Sequence, residues 1–468
     1  YAGFTFSVRD AGVPPAFDPA PNTLTVNVTA ANDAPVIGGL DGDTLAYNEG
    51  ALATVIDRPA AATVTDIDSA NFAGGALTVS LAAGGDPAED VLALRNQGVA
   101  AGQIGVAGAN VSFGGTLIGT FAGGGSGVDL VVTFNTAATS AAVQALVQNV
   151  TYRNSDLANP TVGARTVRFV ITDGDGGTSA PADATVTVAR VNDAPTAVIT
   201  PLSYAATEGV ARTLSGTGIS VGDIDAGTAS VTATLQVTSG TLSATAGGTG
   251  VVLGGTSKTI TMAGTLAQIN DLLAGLGGGA IVYLMSSDSP PATDNLALTV
   301  NDNGNTGSGG ALIAGDSATI NIAAVNDGPI NTMPGGAVTA EDTPLVFAPG
   351  QIAVTDVDAG TGGVRVTLGV TSGTLTLGGT AGLAFITGDG TADANMVFSG
   401  TVGAINAALG GLVFTPMTNS ILTAVITMST SDLGNTGSGG VLTDLNDTTT
   451  VTISPANDPP AGADRTVA

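Results

Sequence analysis

A chain of 468 residues carries 38 acidic against 11 basic side chains, a net charge of −27, and contains no Cys, His or Trp. So few cations cannot cluster against phosphates or an anionic bilayer, which excludes nucleic-acid binding and electrostatic membrane attachment. The missing thiols and imidazoles remove disulfides, zinc and iron–sulfur chemistry and the commonest general base, and leave hard cations as the favourable partners of the surplus carboxylate.

Residues 1–31 open on the strand-like YAGFTFSVRD, pass Asp10 and end on the alternating run TLTVNV, the tail of a module whose start is not in this sequence. A first full module is expected over 32–191, beginning at Asn32-Asp33-Ala34-Pro35 and carrying Glu49, the pair Asp66/Asp68 and, late on, Asp173. The next covers 192–325, with Asn192-Asp193-Ala194-Pro195, Glu208, Asp223/Asp225 and Asp302 in the same order. A third covers 326–456, with Asn326-Asp327-Gly328-Pro329, Glu341, Asp356/Asp358 and Asp432. Residues 457–468 start another at Asn457-Asp458-Pro459-Pro460. The Asn-Asp-x-Pro signals lie 160, 134 and 131 residues apart. Four acidic features in constant order, three times over, mark an array of homologous modules.

Between the acidic landmarks run ALTVSL, VRFVIT, VTATLQV, LALTV, VRVTLGV and AVITMST. Thr and Val at period two, bounded by Gly, Asn and Asp, predict half-buried antiparallel strands, about seven per module, closed into an all-β sandwich. Aromatics make up 4% of the chain, so the cores fall to Val, Leu, Ile and Ala. Each module has one segment with apolar residues three and four apart, in TSAAVQALVQNVTYR, GTLAQINDLLAGLGGGAIVYL and GTVGAINAALGGLVFTP, which predicts one short helix. From Asp66 to Asp173 is 107 residues, against 79 from Asp223 to Asp302. The 28 extra residues of the first module are expected to include DVLALRNQGVAAGQIGVAGANVSFGG, read as an added hairpin.

The repeated carboxylates are the chemistry of the chain. Calcium takes six to eight hard oxygen ligands in flexible geometry, which Asp, Glu, Asn and backbone carbonyls supply. Four or more carboxylates gathered at one linker repel unless a cation joins them. Any single Asp could merely shape a turn, but the recurrence of the whole set favours a cation site. Gly124–Val131 matches one RTX nonapeptide, which needs stacked copies, and reads better as a hairpin loop. Asp173-Gly174-Asp175-Gly176 begins like an EF-hand loop but lacks its later Glu. No nucleophile stands beside a base, and no phosphate loop or stacking surface is present, so no catalytic residue is assigned and no enzyme is expected. No apolar run is long enough for a membrane helix, and no signal peptide is visible.

On the linker NDAP, the acidic NEG, TEG and AED, the TDIDS and TDVDA, and the ITDGDGG and SDLGN loops, the chain resembles the cadherin superfamily. The closer resemblance is to the cadherin-like tandem repeats of large bacterial surface adhesins of the RTX type. It implies tandem cadherin-like or immunoglobulin-like β-sandwiches with calcium between consecutive modules. Carried over, the first site would use Asn32, Asp33, Asp66, Asp68 and Asp173. The second would use Asn192, Asp193, Asp223, Asp225 and Asp302, completed by Glu49 from the base of the preceding module. The third would use Asn326, Asp327, Asp356, Asp358 and Asp432 with Glu208, and Glu341, Asn457 and Asp458 would begin a fourth. The family also has an acidic triplet before its penultimate strands. Here only Asp156 and Asp288 stand near that place, the third module has Asn419, and one or two ions per linker are implied. The functional expectation is a calcium-rigidified extracellular stalk of a cell-surface adhesin, with calcium and neighbouring repeats or other copies of the chain as partners. A self-assembling filament, sheath or surface layer, and accessory repeats of a secreted hydrolase, are the alternatives.

Overall fold

Strict alternation of Thr with aliphatic residues decides which face of each strand is buried. In Val231–Val237 every second side chain points into the core, and the pattern recurs in Gly163–Ile171 and Ala424–Ser431. The structure, a computed structural model, describes residues 2–20 and 22–458. It divides into two compact units, one of residues up to 193 with 304–310, the other of residues 194–303 and from 311 onward.

In the first unit, Ala2–Phe6 pairs antiparallel with Asn22–Val26, and Phe4, Phe6, Leu24 and Val26 stay exposed, as two strands alone bury no core. The unit's hydrophobic core runs from Leu40 to Val188. One sheet has eight strands, in the order Thr44–Asn48, Ala182–Ala189, Gly163–Ile171, Ala76–Ala83, Leu130–Phe134, Thr116–Ala122, Asn110–Phe113 and Ile104–Ala107. The first pair is parallel and the others antiparallel. A three-stranded sheet of Thr54–Val55, Val150–Asn154 and Asp90–Leu94, with the pair Val36–Gly38 and Thr63–Thr65, completes the sandwich.

The second unit holds two hydrophobic cores, from Ile199 to Ile322 and from Phe347 to Ile453. Both sandwiches repeat the topology with a six-stranded sheet. In the earlier one its order is Ser203–Thr207, Ile313–Ala323, Thr293–Asn301, Val231–Val237, Thr259–Gly264 and Val252–Thr256. The extra two strands of the first module are therefore Ile104–Ala107 and Asn110–Phe113, added at the sheet edge beyond Thr116–Ala122. This corrects the expected insertion: Asp90–Leu94 pairs with Val150–Asn154 and occupies the place that Thr241–Thr245 takes beside Ala280–Leu284. Eleven strands rather than seven make up residues 196–323, because Gly and Pro cut the early strands into pieces of two to five residues. Gly124–Val131 is the hairpin loop expected, closing Thr116–Ala122 onto Leu130–Phe134.

Among the described residues the three short α-helices are α1, Ser140–Val147, α2, Leu266–Leu273, and α3, Val402–Leu409. Each begins behind a threonine, Thr139, Thr265 or Thr401, whose hydroxyl accepts the backbone N–H at the third helical position, a cap worth about 1 kcal/mol. Eight residues do not hold a helix alone, so burial of Ile269, Leu272 and Leu273 in α2, and of Ile405, Ala408 and Leu409 in α3, holds them in place.

One polar position in the core changes in step across the modules. Tyr152 donates its hydroxyl to buried Asp90, which also accepts Arg165 Nε at 3.1 Å, and Arg165 reaches Glu89 at 3.3 Å. Tyr283 donates instead to Asp294, at 3.0 Å. In the last sandwich Phe414 and Ala424 take the matching places, both fully buried. A buried hydroxyl without an acceptor costs about 1–3 kcal/mol, so the hydroxyl and its carboxylate come and go together.

Candidate metal centre

The helices place the acidic pairs. In α3, Asn406 donates its side-chain amide to Val354 O (2.8 Å) and accepts Val354 N–H (2.8 Å), fixing the strand Ala353–Thr355 that runs directly into Asp356. In α2, Asn270 makes the same two bonds to Val221, at 2.8 and 3.0 Å, ahead of Asp223. At α1 two glutamines, Gln144 within the helix and Gln148 just after it, divide this role. Gln144 accepts Val64 N–H at 3.3 Å and Gln148 donates to Ala62 O at 2.6 Å, ahead of Asp66. Each D-x-D then folds into a tight Asx turn. Asp356 Oδ1 accepts the N–H groups of Asp358 and Ala359, Asp223 Oδ1 those of Asp225 and Ala226, and Asp66 Oδ1 those of Asp68 and Ser69. In every case Oδ1 is used up and Oδ2 is left.

The set around Asn326 lies wholly in the second unit. Asn326 Nδ2 donates to Asp432 Oδ2 at 2.5 Å, and Asp327 N–H to Asp358 Oδ2 at 2.5 Å. Glu208, 7% exposed, accepts Val325 N–H at 2.9 Å. Carboxylate oxygens of Glu208, Asp288 and Asp327 all lie within 4.8 Å of one another. Burial, then the carboxylates of Asp358, Asp288 and Asp356, hold Asp327 above the usual carboxylate range. Burial likewise raises Asp356, with Asp432 and Asp358 adding to it. Burial also acts on Asp432, but the Asn326 amide and the N–H groups of Gly434 and Leu442 outweigh it and hold Asp432 low. The ion pairs among the described residues are Arg165 with Glu89 and Asp90, and Arg168 with Asp183, none of them at this cluster.

Asn326 Oδ1, Asp327 Oδ2 and Asp356 Oδ2 are buried without a hydrogen-bond donor. Buried polar atoms are almost always paired, so three orphaned oxygens at one linker mark a place for an electrophile. The donor set is oxygen throughout and mostly anionic, which suits calcium and disfavours softer metals.

The other expected ligands are placed as follows. In the first unit Asn32 Nδ2 donates to Asp173 Oδ2 at 2.8 Å and Asp33 N–H to Asp68 Oδ2 at 3.1 Å, which brings these four residues beside Asp66. Asp173 is held low by the Asn32 amide and the N–H groups of Asp175 and Gly177, against the opposing effect of burial. Glu49 accepts Val191 N–H at 3.0 Å, next to Asn192 and Asp193 in the chain. Asn192 is 5% exposed and donates its amide to Gly310 O at 3.0 Å. In the second unit burial raises Asp223, with the carboxylates of Asp302 and Asp225 adding to it. Glu341 accepts Ala456 N–H at 2.7 Å, just before Asn457 and Asp458, which are both exposed. Asp342 and Asp458 flank the Asn419 amide, which reaches them at 3.2 and 3.3 Å when oriented to donate.

The residue of this acidic cluster that the candidate set left out is Asp288. It stands just before the strand Thr293–Asn301, where an acidic position was visible, but nothing in the sequence showed that this loop closes on Glu208 and Asp327.

No protein-family model matches this sequence, and no curated protein matches it either. Among solved structures the chain is similar to the extracellular domain of protocadherin GammaB4, at 14% identity and a TM-score of 0.32, over 97% of this chain and 54% of that one. It therefore spans about half the length of that relative. It is similar to mouse cadherin-23 repeats EC22-24, at 14% identity and a TM-score of 0.32, over 91% of this chain and 100% of that one. It is similar to Drosophila N-cadherin EC1-4, at 14% identity and a TM-score of 0.22, over 97% and 83%. No helix of the described residues is long and apolar enough to cross a membrane.

Proposed function

We propose that this chain is a section of an extracellular stalk of a bacterial surface adhesin, in which calcium stiffens the junctions between consecutive β-sandwiches. The observation that carries the reading is the linker at Asn326. Acidic side chains from the base of one sandwich, Glu208 and Asp288, meet Asp327 of the linker, whose N–H donates to Asp358 at the top of the next, with buried oxygens of Asn326, Asp327 and Asp356 left unpaired. Asn326, Asp327, Asp356, Asp358, Asp432, Glu208 and Asp288 would hold the ion there. Bound calcium supplies the positive charge that cancels their repulsion. Glu208 and Asp288 belong to one sandwich and the remaining ligands to the linker and its successor, so a shared cation resists bending between them. The cores, built from Val, Leu and Ile, do not depend on it.

Solution scattering of the chain with calcium and with chelator tests the reading. The expected result is a larger maximum dimension and a rod-like profile with calcium, and a flexible chain of folded beads without it. Affinity is expected at about 10⁻⁴ to 10⁻³ M, the range of extracellular modules. An unchanged profile would overturn the stiffening role.

A further inference from the structure

The segment Gly-Asn-Thr-Gly-Ser-Gly-Gly occurs twice, at 304–310 and 434–440, and does not occur in the first module. In the second unit this loop lies along the linker. Ser438 N–H donates to Ala324 O at 2.9 Å and Asn326 N–H to Ser438 O at 2.8 Å, a parallel bridge between Val325 and Ser438. Asn326 Nδ2 donates to Gly440 O at 3.0 Å as well as to Asp432. Both amide hydrogens are thereby engaged and the side-chain carbonyl, Oδ1, is left facing no donor. The loop is itself tied down: Asn435 Nδ2 donates to Gly363 O (2.7 Å) and Asp432 O (2.6 Å), and Thr436 Oγ1 donates to Asp358 O. Gly437 makes the approach possible. Its φ is +92° and a Cβ there would lie 2.5 Å from Asn326 N.

Within the first unit the other copy does the same. Ser308 N–H donates to Arg190 O at 3.0 Å, Asn192 N–H to Ser308 O at 2.8 Å and Asn192 Nδ2 to Gly310 O at 3.0 Å. A Cβ on Gly307 would lie 2.5 Å from Asn192 N. The first module's own loop instead closes on itself through a bridge between Thr172 and Thr178, and Asn32, which it meets through Asp173, is exposed.

We propose that the Thr-Gly-Ser-Gly-Gly loop is a metal-independent latch. It holds the linker by backbone hydrogen bonds and aims the Asn326 carbonyl oxygen into the cation site before any cation arrives. The inference rests on the calcium reading only for what that oxygen binds. The latching bonds join neutral amides and carbonyls and need no charge to be cancelled.

Hydrogen exchange followed by mass spectrometry on the full chain, in chelator and in calcium, tests it. In chelator the amides of Asn326, Ser438, Asn192 and Ser308 are expected to exchange at least about tenfold more slowly than that of Asn32. Gly437→Ala is expected to abolish protection at Asn326 and Ser438 and to leave Asn192 and Ser308 unchanged. Protection at Asn326 and Ser438 that develops only with calcium would overturn the latch. So would protection that survives Gly437→Ala. The comparison of the linkers within the unsubstituted chain needs no variant to fold. If calcium altered exchange nowhere while Asn326 stayed protected, the calcium reading would fail and the latch would stand.

Discussion

Asp288→Asn should have opposite effects on the metal-free and the metal-loaded junction. Its carboxylate lies within 4.8 Å of those of Glu208 and Asp327. At that separation two unit charges repel by about 0.9 kcal/mol in bulk water, so removing this one relieves about 1.7 kcal/mol of the metal-free state. Facing a dication at about 2.4 Å, the same charge contributes about 3.5 kcal/mol in water. The loaded junction is therefore left about 1.7 kcal/mol less stable while the metal-free one gains about as much, so the variant binds calcium about 3.5 kcal/mol more weakly, roughly several-hundredfold in Kd. Because Asp288 is exposed, the aqueous figures are the appropriate ones. Calcium titrations read by hydrogen exchange at residues 324–328 would isolate this junction from the others. The expected result is a higher calcium midpoint there, with slower exchange than the parent in chelator. An unchanged midpoint, or faster exchange in chelator, would show that Asp288 neither repels nor binds.

Tyr283→Phe is expected to cost about 1 kcal/mol in calorimetric unfolding, and Asp294→Ala about 3 kcal/mol or more. Asp294 also accepts the N–H groups of Thr238, Ser239, Gly240 and Asn295, so its loss orphans five donors where the tyrosine change removes one; equal effects would contradict the network. The same aspartate sets an acid limit. Burial would raise it, but the N–H groups of Gly240, Ser239 and Asn295 and the Tyr283 hydroxyl hold it below the usual 3.8. Its contribution is therefore complete above about pH 4 and lost as pH falls through the depressed value, a loss that Asp294→Ala should abolish in acid titrations of stability. Arg165→Met, which leaves Glu89 and Asp90 buried without their cation, is expected to destabilise the first sandwich by about 3–5 kcal/mol in denaturant titrations. A change under about 1 kcal/mol there would mean that the two acids find other partners.

The array and its acidic landmarks were legible because both are periodic. Strand alternation has a period of two, the acidic sets a period of one module, and each survives in a single sequence. The helices were legible for the same reason, from aliphatic residues three and four apart before Tyr152, Tyr283 and Phe414. What was not legible depends on pairing between distant segments. Asn406 looks like any polar helix residue until the strand Ala353–Thr355, just before Asp356, is laid beside it. Asp288 needed the knowledge that its loop reaches Glu208 and Asp327. The run from Asp90 to Phe113 is uniformly β-like, so the sequence could not separate Asp90–Leu94, which belongs to the common three-stranded sheet, from the added edge strands. The duplicated Gly-Asn-Thr-Gly-Ser-Gly-Gly was plain to see, but its glycines matter only because backbone approaches them from the linker.

The most direct test is a crystal of the chain grown with calcium, with data collected for the anomalous signal of the ion. The expected map has a peak at the linker, within about 2.3–2.6 Å of oxygens of Asn326, Asp327 and Asp356, joined by Glu208 or Asp288 from the preceding sandwich. A map from crystals in millimolar calcium with these carboxylates well ordered, and with no anomalous peak between the two sandwiches, would contradict it.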